Sequence, residues 1–177
     1  MILGGFDIMV ELDEIELLKL TLSKHFYIRE EVEGVHVSGK RVRIDALIVP
    51  KEYDQWKNGK QTVFGLEFKK QFDSISDRTK LIVQAIDYRN SKFYARNGDL
   101  LDVEVFVYPN PVLDIQDRGF YDRLLGRIGI GFMYFEHRIY GGTMLFMEIN
   151  GNKIWDSVNG TNGIGKKMNF YKKIGSQ

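Results

Sequence analysis

Two short runs of alternating character constrain the fold more than any other part of the chain. They are Arg41-Val-Arg-Ile-Asp-Ala-Leu-Ile-Val49 and Thr62-Val-Phe-Gly-Leu-Glu-Phe-Lys-Lys70. Both are rich in β-branched and aromatic residues and read as strands. Side chains two apart on a strand share a face, so Glu67 and Lys69 point one way while Phe64, Leu66 and Phe68 point the other and are available for burial. Two carboxylates, Asp45 and Glu67, on neighbouring strands beside a lysine can hold a hard divalent cation and orient a water. Carboxylates and water suit Mg²⁺. The lysine can organise or deprotonate that water, or stabilise charge on a phosphate. This is the minimum equipment for metal-assisted phosphodiester hydrolysis.

The flanking sequence supplies the other elements. Asp13 and Glu16 form a D-x-x-E capping pattern with Leu12 and Leu17 placed to staple the first turn, so a helix is expected from Asp13 to about His25. Its acidic first turn suits the helix dipole. Periodicity also permits a start near Asp7, since Ile8, Leu12, Ile15, Leu22 and Phe26 share one face. Residues 27–37 and the Asp45 strand flank Ser38-Gly39-Lys40 and read as a hairpin. A second helix is expected from a cap at Ser76 or Asp77 to about Ala95, buried through Leu81, Ile82, Ala85 and Ile86 and ended by Asn97-Gly98. Residues 102–108 read as a strand stopped by Pro109 and Pro111, and residues 117–127 as a short helix. Residues 132–139, 144–149 and 153–155 read as a meander, with Gly141-Gly142 and Asn150-Gly151 as turn signals.

Composition sets the class. A chain of 177 residues, 44% apolar and 13% aromatic, implies one globular domain with a sizeable core. There is no apolar run of about 18 residues and hence no expected membrane span. The first residues lack the pattern of a secretory signal, which makes the cytoplasm the expected location. The absence of cysteine excludes disulfides, thiol catalysis and cysteine-ligated zinc. The net charge of +1 is unevenly spread: residues 1–33 hold 8 acids and 3 bases, and no acid follows Asp156. A basic surplus downstream of an acidic start permits contact with nucleic acid.

The order of these features resembles the PD-(D/E)xK nuclease superfamily, in which an Asp on one strand and a Glu-x-Lys on the next form the active site. Asp45, Glu67 and Lys69 match, with Ile44 where the family often has Pro. The helix after the Glu-x-Lys strand carries Gln84-x-x-x-Tyr88, which resembles the Q-x-x-x-Y motif of the RecB-like and Cas4-like branch. Residues i and i+4 share a helix face, so both side chains can address one groove. Lacking cysteine, the chain cannot carry the iron–sulfur cluster found in many members of that branch.

The resemblance covers roughly residues 10–110. It implies an α/β, restriction-endonuclease-like αβββαβ core with a mixed central sheet. A C-terminal β-hairpin extension over residues 128–156 and a basic tail over 157–177 would follow. It further implies an Mg²⁺- or Mn²⁺-dependent deoxyribonuclease acting on DNA. Asp45 and Glu67 would bind metal with the backbone carbonyl of Phe68 and a first-helix acid, Glu14 or Glu11. Lys69 would activate water, and Gln84 and Tyr88 would orient the substrate or the lysine. A restriction endonuclease or Holliday-junction resolvase on the same core, expected as a symmetric homodimer, is the alternative within the class. A non-catalytic nucleic-acid-binding protein is the alternative outside it. Higher homo-oligomers stay open.

Other features carry two readings each. Trp56 among Lys51, Lys57 and Lys60 has the composition that stacks bases and holds phosphates, and equally that of a loop with one anchoring aromatic. His25 is an alternative metal ligand, although His25, His36 and His137 lack ligand spacing. Gly160-Thr-Asn-Gly-Ile-Gly-Lys166 resembles a phosphate loop but lacks the Ser or Thr that would follow the lysine.

Overall fold

The computed structural model describes residues 13–52, 56, 62–69, 74–109, 115–138 and 142–167. The chain opens with α1 (Glu14–His25), whose N-cap Asp13 accepts a hydrogen bond from the Ile15 N–H. The expected staple through Leu12 and the alternative start near Asp7 lie outside the described residues. Phe26 caps the other end in extended conformation, so α1 runs straight into a strand.

That strand, β1 (Phe26–His36), turns at Gly39 (φ +84°) into β2 (Arg41–Pro50), and β3 (Phe64–Lys69) follows. Next come α2 (Ile75–Arg89), β4 (Ser91–Tyr94), β5 (Leu100–Leu101), β6 (Glu104–Pro109) and α3 (Ile115–Arg127). The C-terminal part holds β7 (Gly131–Arg138), β8 (Gly142–Ile149), β9 (Asn152–Asp156), β10 (Gly160–Thr161) and the short α4 (Gly163–Lys167).

All ten strands form one sheet in the order β10-β9-β8-β7-β6-β3-β2-β1-β4-β5. It is mixed: β3–β6 and β6–β7 are parallel and the other pairs antiparallel. The expected α/β class with a mixed sheet is therefore what is found. Ile15, Leu18 and Leu22 of α1 bury against one face, with Phe64, Leu66, Phe106 and Tyr108. Leu81, Ala85 and Tyr88 of α2 and Leu125 of α3 bury against the other, with Ile44, Val105 and Val107. No described helix is long and apolar enough to cross a membrane.

Three expectations change. First, α2 starts at a Ser74 cap and ends at Asn90, not near Ala95. Ser91 and Phe93 are buried while Lys92 and Tyr94 face out, and this period of two pairs with β1 as β4. Asn97-Gly98 accordingly turns β4 into β5 instead of ending a helix. Ile86, expected to anchor α2, is exposed. Second, the C-terminal meander is not an appendage. Through α3, β7 lies parallel beside β6, so β7 to β9 continue the central sheet. Third, the segment expected to be a tail begins with β10 and α4. There the side chain of Asn162 accepts from the Gly165 N–H and donates to the Lys153 carbonyl.

Gly131 shows how tightly the β6–β7 seam is closed. A Cβ there would lie 2.0 Å from the fully buried Phe106 ring. Gly131→Ala should therefore destabilise the protein by about 1–3 kcal/mol or more, the usual cost of overpacking a rigid core. Urea titration of the two proteins measures it. Unchanged stability would mean that the two strands are not packed this closely.

Candidate metal and catalytic site

The candidate site lies where β2 and β3 part. Their ladder pairs Ile48, Leu47 and Ala46 with Phe64, Gly65 and Leu66. The next pair in that register would be Asp45 with Glu67. There the Asp45 side chain takes over, its Oδ2 accepting from the Phe68 N–H at 2.6 Å. A carboxylate holding a backbone N–H in place of a ladder carbonyl is a charge-assisted bond, and it fixes the aspartate's position.

The backbone around Asp45 is also irregular. Strict alternation would put Ile44, Ala46 and Ile48 on one face. Instead Ile44 buries on the α2 face, and Ala46 and Ile48 on the α1 face. Across the β1–β2 ladder Glu30 pairs with Ala46 and Val32 with Ile44, and between them Glu31 adopts φ +52°. A left-handed glutamate is costly, and such positions cluster at functional sites. Glu31 also holds Arg43 in an ion pair of 2.9 Å. No local sequence pattern marks Glu31 for this role.

Glu67 is 3% exposed, an unusual place for a carboxylate. Its Oε1 accepts from Lys69 Nζ at 2.9 Å. Its Oε2 is buried without a hydrogen-bond partner. Burial first, and then the negative charge of Asp45, push its pKa up to about 7 against the pull of Lys69. The two carboxyl groups are close enough to share a hydrogen bond when one is protonated.

Tyr88 and Gln84 come to the same place from α2. Tyr88 is buried, packs edge-on against Phe93 and donates its hydroxyl proton to the Arg43 carbonyl at 2.8 Å. Burial and the nearby charges of Glu67 and Asp45 hold its phenol above the usual range, with Gln84 close enough to donate to its oxygen. Glu67 and the Arg43 carbonyl compete for one phenolic proton, and the geometry gives it to Arg43. Tyr88 thus ties α2 to β2 beside Asp45.

Of the two first-helix acids, the described one, Glu14, bonds on the other face of the sheet. Glu14 accepts from the Tyr108 hydroxyl at 2.5 Å, and Tyr108 belongs to the α1 face, opposite the α2 face that Tyr88 covers. Burial and this bond raise the Tyr108 phenol. Glu11 lies outside the described residues. Among the described residues no group of three or more His, Asp or Glu side chains is arranged to hold a metal. The carboxylates brought together here are therefore the pair Asp45 and Glu67.

The remaining candidates resolve differently. Trp56 is buried in the α1-side core, edge-on to Phe64 at 4.9 Å, and is no exposed stacking platform. Its long-range packing has no local signature. Lys57 and Lys60 lie outside the described residues. His25 packs edge-on against Trp155 at the end of α1. The two basic residues of α2 nearest Gln84 and Tyr88 point to other partners: Lys80 is exposed near Asp77, and the Arg89 guanidinium lies over the Gly129 turn.

The buried carboxyl makes stability depend on pH. Glu67 keeps its proton to about pH 7 in the fold, whereas in an unfolded chain it ionises near the ordinary carboxyl value of 4.5. Stabilisation is fully present below the lower value and lost as pH rises through the upper one. The loss is on the order of 3 kcal/mol. Urea titrations in EDTA should show wild type losing stability over this window relative to Glu67→Gln, which cannot ionise. A difference that does not vary with pH would refute the burial of Glu67 as a carboxyl that Lys69 only partly compensates. Separately, Tyr88→Phe should cost about 1 kcal/mol through the lost bond to Arg43, read from the same titrations.

Comparison of the chain with protein-family models, with curated proteins and with solved structures found no match.

Proposed function

We propose that this protein is an Mg²⁺- or Mn²⁺-dependent deoxyribonuclease that hydrolyses phosphodiester bonds at Asp45, Glu67 and Lys69. One observation carries the reading: a buried Glu67 carboxylate, with one oxygen on Lys69 and the other unpartnered, beside a fixed Asp45. Apart from the short β4 and β5 inserted between α2 and β6, the element order α1-β1-β2-β3-α2-β6, with the acids on β2 and β3, also supports it. So does the arrival of Gln84 and Tyr88 from α2. It is the order expected of a restriction-endonuclease-like core.

The donor set fits a hard divalent ion. An unpartnered buried oxygen lacks the hydrogen bonds that ordinarily offset burial, and two adjacent carboxylates repel each other when both are charged. A cation between them would remove both penalties. Mg²⁺ is commonly held by one or two carboxylates together with waters and substrate phosphate oxygens, so a pair suffices. Asp45 and Glu67 would hold it, with the Phe68 carbonyl as a further oxygen ligand. When bound, the ion would supply Lewis-acid polarisation of the phosphoryl group and acidify a bound water.

The chain's own groups do the rest. Asp45 is kept in position by the Phe68 N–H, so its orientation does not depend on a flexible partner. Lys69, held by Glu67 and partly open to solvent, orients or deprotonates the attacking water or neutralises charge on the phosphate. Tyr88 positions α2 through Arg43, and Gln84, half-buried within reach of the Tyr88 hydroxyl, would contact the substrate strand or the lysine.

Digestion of linear, circular, single-stranded and branched DNA with Mg²⁺, Mn²⁺ or EDTA tests the proposal. Cleavage should require the metal, with Ca²⁺ binding but supporting little turnover. Asp45→Ala, Glu67→Ala and Lys69→Ala should each slow it by about a hundredfold or more, and Asp45→Ala should weaken Mn²⁺ binding by calorimetry. Wild-type cleavage by Glu67→Ala would sink the assignment.

A further inference from the structure

The β1–β2 hairpin changes face part-way along, and it does so at Asp45. On β2, Ala46 and Ile48 pack into the α1-side core, whereas Val42 and Ile44 pack into the α2-side core. On β1, Phe26 and Ile28 belong to the α1 side and Val32 to the α2 side. Ile28 pairs with Ile48 and Val32 with Ile44, so the two strands roll over together. A regular strand keeps residues two apart on one face, so this roll needs a local cause. The register is the same on both sides of it, so no extra residue is inserted as in a β-bulge. Glu31 and Asp45 stand opposite each other at the break.

The cause lies on β1. Among the described non-glycine residues only Glu31 (φ +52°) and Asn150 (φ +54°) are left-handed. Asn150 belongs to the Asn150-Gly151 hairpin turn, where that conformation is ordinary. Glu31 lies inside a strand, where it is costly. Its side chain offers little in return, because both members of the ion pair with Arg43 are exposed and such pairs contribute little stability. What the conformation secures is the direction of Asp45. In an unbroken β2, Asp45 would stand in the row of Leu47, perpendicular to the sheet on the α2 side. Mid-roll, its carboxylate instead reaches the end of the β2–β3 ladder, where Oδ2 accepts from the Phe68 N–H. The Tyr88 hydroxyl holds the Arg43 carbonyl just beyond the roll.

We propose that Glu31 is a positioning residue for the candidate site: its left-handed backbone rolls the hairpin and so delivers the Asp45 carboxylate to the Phe68 N–H, beside Glu67. The backbone does this, not the Glu31 carboxylate. The inference deepens the nuclease reading and rests on it only in taking Asp45 as a metal ligand.

The Phe68 amide is the reporter, followed by NMR in EDTA. A charge-assisted bond of 2.6 Å should place its proton well downfield and protect it from exchange, and Asp45→Ala marks the values without that bond. Glycine adopts a positive φ freely, alanine with difficulty and the β-branched valine hardly at all. Glu31→Gly should therefore keep the wild-type Phe68 resonance and exchange rate although it lacks the carboxylate. Glu31→Val should move the resonance towards that of Asp45→Ala and speed exchange by about tenfold or more, with Glu31→Ala between them. If Glu31→Val does not fold, Glu31→Ala against Glu31→Gly reads the same order. A merely structural Glu31 would lower the melting temperature of these variants and leave the Phe68 resonance in place, which would overturn the inference. A loss in Glu31→Gly as complete as in Glu31→Val would overturn it too, by assigning the role to the carboxylate. Mn²⁺ calorimetry separates this inference from the reading beneath it: affinity should fall about tenfold in Glu31→Val and hold in Glu31→Gly. A Phe68 resonance that follows the series while Asp45→Ala binds Mn²⁺ as wild type does would support the positioning and remove the metal reading alone.

Discussion

Everything at the candidate site follows from the position of β3. It is hydrogen-bonded on both edges, antiparallel to β2 and parallel to β6, and covered on both faces. Phe64 and Leu66 fill one side, while Gly65 on the other leaves room only for Ile44 and Val103. A carboxylate placed at the end of such a strand cannot reach bulk water, and desolvation becomes the largest influence on it. The protein meets that cost with one lysine two residues along the same strand and leaves one oxygen unsatisfied. Replacing β3's neighbours with a solvated edge would turn Glu67 into an ordinary surface glutamate.

The local chemistry was readable from spacing alone. A period of two placed Glu67 with Lys69, and i, i+4 placed Gln84 with Tyr88 on one side of α2. The Asp13 cap and the Gly39 hairpin were equally local and were found where expected. What could not be read was decided by distant partners. Ser91-Lys-Phe-Tyr94 is too short a run to announce a strand against a helix that ends just before it, and pairing with β1 decides the matter. Trp56 sits in a polar stretch, and only packing against Phe64 reveals it as core. Glu14 satisfies every local rule for a residue near a helix start, yet its partner, Tyr108, is 94 positions away across the sheet interface.

Tyr88 illustrates how a motif residue can serve two ends. Its ring belongs to the core and its hydroxyl to Arg43, so a structural role is fully accounted for. The same bond nevertheless fixes the backbone of β2 two residues before Asp45, at the point where the strand changes face. Loss of the hydroxyl would be felt as altered aspartate geometry as well as reduced stability, and the two effects are not independent.

The parallel placement of β7 beside β6 has a consequence for synthesis. A ribosome delivers β3 and β6 long before β7, so a nascent chain that has folded up to Pro109 presents the outer edge of β6 with its amides and carbonyls open. Exposed, apolar edges of this kind are templates for intermolecular pairing. Closing that edge requires α3 to dock and Gly131 to slide under Phe106. The last third of the chain therefore acts as the built-in protector of the first two thirds, and a fragment ending after β6 would be the aggregation-prone species.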